Sequence, residues 1–368
     1  LDKYFIFLYS IDKNLSSQVS GLALLGISCY IFGALAYKPQ KKQVKTLIDT
    51  KNRKQYSTTT LFYLAFFSFV MYVLLGGYQR LTNLYKGVEN LEEEVGLASY
   101  FFVLCPALLF VGITVEFVNM KTRYNQFRLR YFNKVGLIVT GIVSLSILLT
   151  GSRTIPMQLS LISIGLYSYL FKPIGLKTFF LTISGGIAVL FAVVVLRGAM
   201  ENGGSVFSDV FADLFGTTRA IFIAFEYTNK FGFTFGENML GGLLSPIPFA
   251  QNFFINVLGF DKDMMGSSLI YTKYTLGSVG NLGLGTNILA DLYFSFGFIG
   301  VIFFMFFLGR FIRKISVLGN YNYYVLVCYV VMLSYAVFLV RAEFFIFLRF
   351  LLWSLIIMFL TLRFRRVI

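Results

Sequence analysis

The residues able to do chemistry are restricted, because the 368-residue chain contains no histidine. This absence excludes histidine acid–base catalysis, Ser–His–Asp triads and histidine-ligated metal sites. The cysteines lack CxxC spacing and lie inside apolar runs, which is typical of core residues; they are Cys29, Cys105 and Cys328. Proton transfer therefore falls to carboxylates or tyrosines, and anion binding falls to lysine and arginine.

Five arginines stand out because they lie at or near the ends of long apolar runs, on the side that carries few other basic residues. They are Arg153, Arg197, Arg219, Arg341 and Arg349. An arginine at mid-membrane costs about 2.5–3.5 kcal/mol on insertion scales, so each needs a compensating partner. One interpretation is that each reaches lipid headgroups or pairs with an acid such as Glu343 or Asp291. The other is that several converge on an anionic ligand, and a pyrophosphate matches their planar, bidentate geometry.

A second candidate is Asp291, which opens the apolar sequence Asp-Leu-Tyr-Phe-Ser-Phe-Gly-Phe-Ile-Gly. An ionised aspartate in such a run needs a partner. Two roles remain open, namely an ion pair that fixes helix packing, or a base that orients a hydroxyl group. Within the same run Gly297 and Gly300 are expected to let another helix approach closely. Other acids on this side of the membrane are Glu237, Asp261 and Asp263.

The composition indicates a membrane protein. Apolar residues make up 57% of the chain and charged residues 13%, against roughly 25% charged in soluble domains. This disfavours a soluble enzyme, a nucleic-acid-binding module and a disordered chain. Nine runs approach the length of about 20 residues that a helical span requires. They cover residues 19–37, 61–77, 99–118, 135–152, 156–171, 178–196, 287–308, 321–340 and 344–362.

The orientation follows from the basic loops. Lysine and arginine concentrate in alternate segments, at 38–60, 119–134, 172–177, 310–314 and the C-terminal tail. The positive-inside rule places these segments and the C-terminus in the cytoplasm, and it explains the net charge of +15 without a nucleic-acid partner. The long segment 197–286 then lies outside. Since the first residues also lie outside and the chain does not begin with Met, a missing preceding span is expected.

The predicted fold class is all-α, a polytopic helical bundle with a large, partly helical external loop. Residues 1–196 should form N-terminal transmembrane helices with about six spans, 197–286 the loop with interfacial helices, and 287–368 about three C-terminal spans. Residues 207–215 have an apolar face at helical spacing and acids on the other face, as in a helix lying in the membrane interface. The loop either takes part in function or merely packs on the bundle.

Three short motifs carry a resemblance to a known family. They are Gly151-Ser152-Arg153 followed by an apolar span, Pro246-Ile247-Pro248 late in the long loop, and the sequence from Asp291 to Gly300. In this order they resemble the oligosaccharide repeat unit polymerases, the O-antigen polymerases called Wzy, over roughly residues 140–362. The family often has Glu at the position of Asp291. Some members have an arginine and a downstream glycine in a periplasmic loop, a spacing that Arg219 and Gly232 approximate.

The resemblance implies a glycosyltransferase of the bacterial inner membrane with its active site facing the periplasm. It would transfer a growing glycan from undecaprenyl pyrophosphate to the outer sugar of a newly flipped lipid-linked repeat unit, with no cofactor and no metal. Its partners would be lipid-linked glycans, membrane lipids and a chain-length regulator protein, and not nucleic acid. We expect catalytic roles for Arg153, Arg219 and Asp291. The expected substrate-binding residues are Arg197, Arg341, Arg349 and Tyr293, the last by stacking on a sugar.

Two other activities fit a membrane protein with cationic residues on its outer side. A flippase for the same lipid-linked sugar would also need a cationic cavity. Such transporters usually show internal repeats and short loops, and this chain has a loop of about 90 residues and no evident repeat. An O-antigen ligase would transfer the glycan to lipid A core, but ligases of that group generally rely on a histidine.

Overall fold

The computed structural model describes residues 13–39, 57–86, 96–177, 180–181, 184–186, 218–277 and 285–364. All regular elements in these ranges are helical, which confirms the predicted all-α class for the described residues. The α-helices are α1 Ser16–Ala36, α2 Thr59–Leu74, α3 Gly77–Lys86, α4 Leu97–Tyr124, α5 Lys134–Leu149, α6 Thr154–Leu170, α7 Arg219–Phe231, α8 Leu240–Leu244, α9 Ala250–Asn256, α10 Ser267–Leu276, α11 Ile288–Leu318, α12 Tyr323–Ser334 and α13 Leu348–Phe364.

Three of these helices are long and apolar enough to cross a membrane, namely α1, α4 and α11. Helices α2 and α3 form a fourth candidate if their pair, bent by 75°, is one span. Helices α5 and α12 are apolar but shorter. The predicted span 178–196 and the predicted interfacial helix 207–215 lie largely or wholly outside the described residues. The number of spans and the orientation therefore stay predictions.

Helix α4 forms the centre of the bundle. Of its most apolar 18-residue window, 83% is buried, and it packs against α2, α5, α6, α12 and α13. A helix that is apolar on every side is buried on every side, which explains why the run from Val103 to Met120 is almost continuously enclosed. The surrounding helices are thereby held in one group around α4.

Helices α1 and α11 make the most extensive helix–helix contact of the described bundle. The contact depends on glycines, because a Cβ atom at Gly33 would overlap the backbone carbonyl of Phe306, and one at Gly309 would overlap that of Tyr30. Small residues allow such backbone approach between membrane helices. At Gly297 and Gly300, where the sequence suggests the approach of another helix, the nearest groups are Phe233 of the loop beside Gly297 and Phe296 and Leu292 of the same helix beside Gly300.

Gly297 instead breaks helix α11. Its backbone angles, φ 61° and ψ −147°, lie in a region that essentially only glycine adopts. The break frees carbonyl groups that the hydrocarbon cannot solvate. The loop supplies their donors, because the N–H of Thr234 donates to Phe294 O at 2.9 Å and that of Phe235 to Ser295 O at 3.1 Å.

One end of the bundle is covered by the loop, and we call it the loop end. There α4, α6 and α13 begin and α12 ends, as the ring contact of Tyr335 with Phe350 at 6.0 Å illustrates. The backbone N–H of Phe249 donates to the hydroxyl of Tyr100, near the start of α4, at 3.0 Å. Gly242 of α8 packs against Phe345 in the turn before α13. The segment 240–249 therefore lies over the ends of these helices.

Candidate functional site

Asp291 is fully buried and joins three separate segments at the broken helix. Its Oδ1 atom accepts a hydrogen bond from Asn238 Nδ2 at 2.7 Å, and its Oδ2 atom accepts one from the N–H of Phe344 at 2.8 Å. These bonds tie α11 to the 3₁₀ helix Glu237–Met239 and to the turn that precedes α13. Neutral donors therefore stand in place of the arginine partner that the sequence suggests, and the catalytic role of Asp291 stays a prediction.

Asn238 completes this junction and was missed by sequence reasoning. Its Nδ2 group also donates to the backbone oxygen of Asp291 at 3.0 Å. Its Oδ1 atom accepts from the hydroxyls of Thr234 and of Ser295, the latter at 2.8 Å. All four hydrogen-bonding capacities of the amide are therefore used. No sequence signal distinguishes this asparagine from other polar residues of a glycine-rich loop.

Glu343 lies close to Asp291 and holds the start of α10. Its Oε1 atom accepts hydrogen bonds from the N–H of Ser268 at 3.3 Å and from its hydroxyl at 2.8 Å. A carboxylate at a helix N-terminus also meets the positive end of the helix dipole. Loss of hydration on burial nevertheless raises the pKa of Glu343, while the two bonds from Ser268 oppose that rise. The second carboxylate near Asp291 therefore carries a cost when ionised.

The arginines predicted from the sequence occupy two regions. Arg153 directly precedes α6, Arg341 ends the 3₁₀ helix Leu339–Arg341, and Arg349 is the second residue of α13, so all three belong to the loop end. Arg219 begins α7, which packs on α10 and α11, and it lies near Tyr271 of α10. Each of these four is partly exposed. Arg197 lies outside the described residues.

Arg349 has a partly apolar surrounding. Its guanidinium carbon lies 5.8 Å from the ring centre of Tyr100, and the group is within electrostatic reach of Tyr335. Its Nε atom is buried with no hydrogen-bond acceptor. The segment containing Pro246 and Pro248 adjoins this place, because the rings of Tyr100 and Phe249 lie 5.4 Å apart.

Tyr293 is enclosed by aromatic side chains. Its ring centre lies 4.2 Å from that of Phe225, 5.3 Å from that of Phe298 and 6.0 Å from that of Phe233, and only 6% of the residue is exposed. To stack on a sugar it would have to be uncovered first. Its predicted role in substrate binding stays a prediction.

Two of the remaining acids named from the sequence, Glu237 and Asp261, line a cavity in the loop. The cavity has a volume of about 280 Å³ and is lined by Glu237, Leu240, Leu258, Gly259, Phe260, Asp261, Met264 and Met265. Lys273 forms an ion pair with Asp263 at 2.7 Å and reaches Asp261 at 3.9 Å, and the bond to Asp263 raises the pKa of Lys273. The side chain of Glu237 is exposed. Glu237 and Asp261 are therefore accessible to a solute, in contrast to Asp291.

The comparisons with known proteins identify a family. The family model described as O-antigen polysaccharide polymerase Wzy matches residues 3–368, which is essentially the whole chain. Neither the curated proteins nor the solved structures give a match. The resemblance found from residues 140–362 is therefore confirmed and extends over the N-terminal helices as well. The chain belongs to the O-antigen polysaccharide polymerase Wzy family.

Proposed function

We propose that this protein lengthens a surface polysaccharide by joining undecaprenyl-pyrophosphate-linked repeat units at the periplasmic face of the inner membrane. The observation that carries the proposal is the family match over residues 3–368, since members of this family polymerise O-antigen repeat units. The apolar helices and the arginines at the loop end of the bundle support it. The lipid carrier and the face of the membrane are part of the proposal.

In the proposed reaction a hydroxyl of the acceptor sugar attacks the anomeric carbon of the donor glycan. A carbon–oxygen bond forms there, the bond from that carbon to the pyrophosphate oxygen breaks, and the hydroxyl proton passes to a base. The lipid pyrophosphate leaves with an additional negative charge. Preorganised cations at the leaving oxygen lower the barrier by stabilising that charge. We assign this role to Arg153 at the loop end and Arg219 at the start of α7, which would have to approach the same pyrophosphate from two regions, with Arg197, Arg341 and Arg349 in pyrophosphate binding.

The base is proposed to be a carboxylate of the loop. Glu237 is exposed at the cavity, so an acceptor hydroxyl can approach it within hydrogen-bonding distance without rearrangement of the core. Asp291 is enclosed and both of its oxygens accept bonds from protein groups. We therefore propose that Asp291 acts as a positioning residue, which holds the loop and the turn before Arg349 in register.

The test uses the purified protein in lipid nanodiscs with a synthetic undecaprenyl-pyrophosphate-linked repeat unit, and gel electrophoresis of the products. Wild type should produce a ladder of longer glycans. Arg153→Ala and Arg219→Ala should each reduce chain extension roughly 100- to 1,000-fold, the usual effect of removing one donor to a developing anion. Arg→Lys at either position should also be impaired, because lysine lacks the planar fork.

The matched control is Arg123→Ala, which removes an arginine at the opposite end of α4 that stacks on Tyr124. This variant should keep wild-type activity. Normal chain extension by both loop-side alanine variants would refute the arginine mechanism. No lengthening by wild type would refute the polymerase. Transfer that requires lipid A core as acceptor would instead indicate a ligase, and a transporter would yield no longer glycan in a system without compartments.

A further inference from the structure

A buried polar cluster at the loop end lacks the hydrogen bonds that its groups require. Gln158, in the second turn of α6, is 1% exposed; its amide reaches the Tyr335 hydroxyl, but neither the Nε2 nor the Oε1 atom makes a hydrogen bond of good geometry. The Tyr335 hydroxyl lies beside that amide and within electrostatic reach of the Arg349 guanidinium. The Nε atom of Arg349 is likewise buried without an acceptor. We call Gln158, Tyr335 and Arg349 the Gln158 cluster.

Such a cluster is unfavourable in an empty helical bundle. A buried amide without hydrogen bonds costs free energy that an apolar side chain of the same size would avoid, and buried polar groups in proteins are nearly always paired. The contrast with Asn238 is direct, because that buried amide uses all of its capacity within the protein. Unlike an isolated hydroxyl, the Gln158 amide lies in one cluster with a guanidinium whose Nε atom also lacks an acceptor, and this combination points to an anionic ligand.

The position of the cluster agrees with a ligand that enters from the membrane surface. Gln158 lies in the first part of α6, Arg349 in the first turn of α13, and Tyr335 directly after α12. The loop covers this place through the bond from the N–H of Phe249 to Tyr100, whose ring faces Arg349. The three side chains therefore belong to the ends of α6, α12 and α13 that lie at the loop end.

The chemistry of the donors selects the ligand. The cluster offers a guanidinium, an amide N–H₂ and a phenol O–H, which together suit a planar or tetrahedral oxyanion. Arginine matches phosphate oxygens with two parallel N–H donors. The positive charge of Arg349 favours an anion over a neutral sugar hydroxyl.

We propose that the Gln158 cluster is a pocket for a phosphoryl group of the polyprenyl pyrophosphate carrier, with Gln158 donating directly to a phosphoryl oxygen. The naming of the carrier rests on the proposed function, whereas the oxyanion pocket rests on the unfilled valences alone. Gln158 thereby becomes a ligand-contacting residue that the arginine pattern in the sequence does not reveal.

The test is the variant Gln158→Leu, which removes the amide and retains approximate volume. Undecaprenyl pyrophosphate without a glycan is titrated into nanodiscs that contain the protein, and bound lipid is counted by native mass spectrometry. Binding should weaken about 10- to 100-fold, as expected for loss of a hydrogen bond to a charged group. The melting temperature of the lipid-free variant should equal or exceed that of wild type, because an unsatisfied group has been removed.

Two control variants remove other buried hydroxyls that lack partners, namely Thr140→Val on α5 and Ser354→Ala deeper in α13. Both should bind the carrier as wild type does. A second test variant, Gln158→Glu, keeps the size but adds a negative charge, so it should bind undecaprenyl pyrophosphate at least about 10-fold more weakly than wild type does. This variant keeps the proposal testable if Gln158→Leu fails to fold.

Unchanged affinity in a folded Gln158 variant would overturn the pocket. Equal competition by phosphatidylglycerol would overturn the assignment to the carrier and indicate a general headgroup site. The chain-extension assay on wild type separates this proposal from the proposed function. If carrier binding depends on Gln158 but wild type makes no longer glycan, only the proposed polymerase activity is refuted. If wild type makes longer glycans but carrier binding does not depend on Gln158, only the proposed pocket is refuted.

Discussion

Two buried amides show how differently a polar side chain can be used inside this bundle. Asn238 is saturated by Asp291, Thr234 and Ser295, and it holds the loop on the broken helix. Gln158 reaches the Tyr335 hydroxyl, but neither of its polar atoms makes a hydrogen bond of good geometry. A saturated network stabilises one arrangement of the chain, whereas an unsaturated one is the kind of group that recognises a solute. Neither amide could be singled out from the sequence, because the environment of each depends on segments far away in the chain.

Glu343 gives a prediction of pH dependence at the residue scale. Burial raises its pKa above the usual 4.5, so the folded protein holds this proton more tightly than the unfolded chain does. Stability from this group is fully present below the unfolded pKa and is lost as pH rises through the folded value. Glu343→Gln keeps an acceptor for Ser268 and removes the ionisation.

We therefore expect Glu343→Gln to melt at a higher temperature than wild type at neutral pH, and the two to converge as pH falls below the ordinary glutamate range. Thermal unfolding followed by intrinsic fluorescence in detergent, at a series of pH values, measures this difference. Glu237→Gln, at an exposed position, is the matched control for the loss of one carboxylate. A constant offset between Glu343→Gln and wild type at every pH would contradict the prediction.

At the scale of elements, the sequence predicts which runs are helical but not how they end. Helix α11 extends to Leu318 instead of ending near residue 308, because Arg310, Arg313 and Lys314 are good helix formers beyond the apolar run. Helix α12 ends at Ser334 instead of residue 340, since turns and the 3₁₀ helix Leu339–Arg341 follow it. The break at Gly297 was not predicted, because a glycine in an apolar run also serves close packing.

The contact between α1 and α11 gives a prediction about single methyl groups. Gly33→Ala and Gly309→Ala should each lower stability by about 1–3 kcal/mol, the usual cost of overpacking, because the new Cβ overlaps a backbone carbonyl of the other helix. Gly21→Ala in the same helix α1 meets nothing within 4 Å. It should raise stability by up to about 1 kcal/mol through helix propensity.

These three variants can be compared by reversible unfolding of the purified protein in mixed micelles. The measured quantity is the midpoint of unfolding as the fraction of sodium dodecyl sulfate increases. The order of midpoints should be Gly21→Ala at or above wild type, followed by Gly309→Ala and Gly33→Ala below it. Midpoints for the two interface variants that match wild type would mean that α1 and α11 do not pack through these glycines.

At the scale of the whole molecule, the family and the helical class follow from the sequence, whereas the assembly of the site does not. Composition and three short motifs are enough to identify the family, because hydropathy and the order of motifs can be read from the sequence without knowing which residues are in contact. The junction of Asn238, Asp291 and Phe344 joins residues more than 50 positions apart. Contacts at such separation depend on the packing of several helices and leave no local pattern.

The orientation of the molecule can be tested with cysteine labelling. In a variant without the three native cysteines, Gln126→Cys lies between α4 and α5 in a basic segment, and Asn256→Cys lies in the loop; both positions are exposed. The positive-inside rule places the first in the cytoplasm and the second in the periplasm.

A membrane-impermeant maleimide should therefore label only Asn256→Cys in intact spheroplasts, and both variants after the membrane is permeabilised. Denaturation with detergent should expose both thiols and serves as the control for expression. Labelling of Gln126→Cys in intact spheroplasts would reverse the proposed orientation and place the loop end in the cytoplasm.

The bonds from Thr234 and Phe235 to the carbonyls freed at Gly297 have a consequence for biosynthesis. Ribosomes make residues 234–235 before residues 294–295, so the capping amides already exist when α11 reaches the translocon. A helix with unbonded carbonyl groups would be costly to release into hydrocarbon. The amides of residues 234–235 can bond these carbonyls as soon as α11 is made, and this removes the cost. The order in which the chain is made therefore matches the order in which this span can leave the translocon.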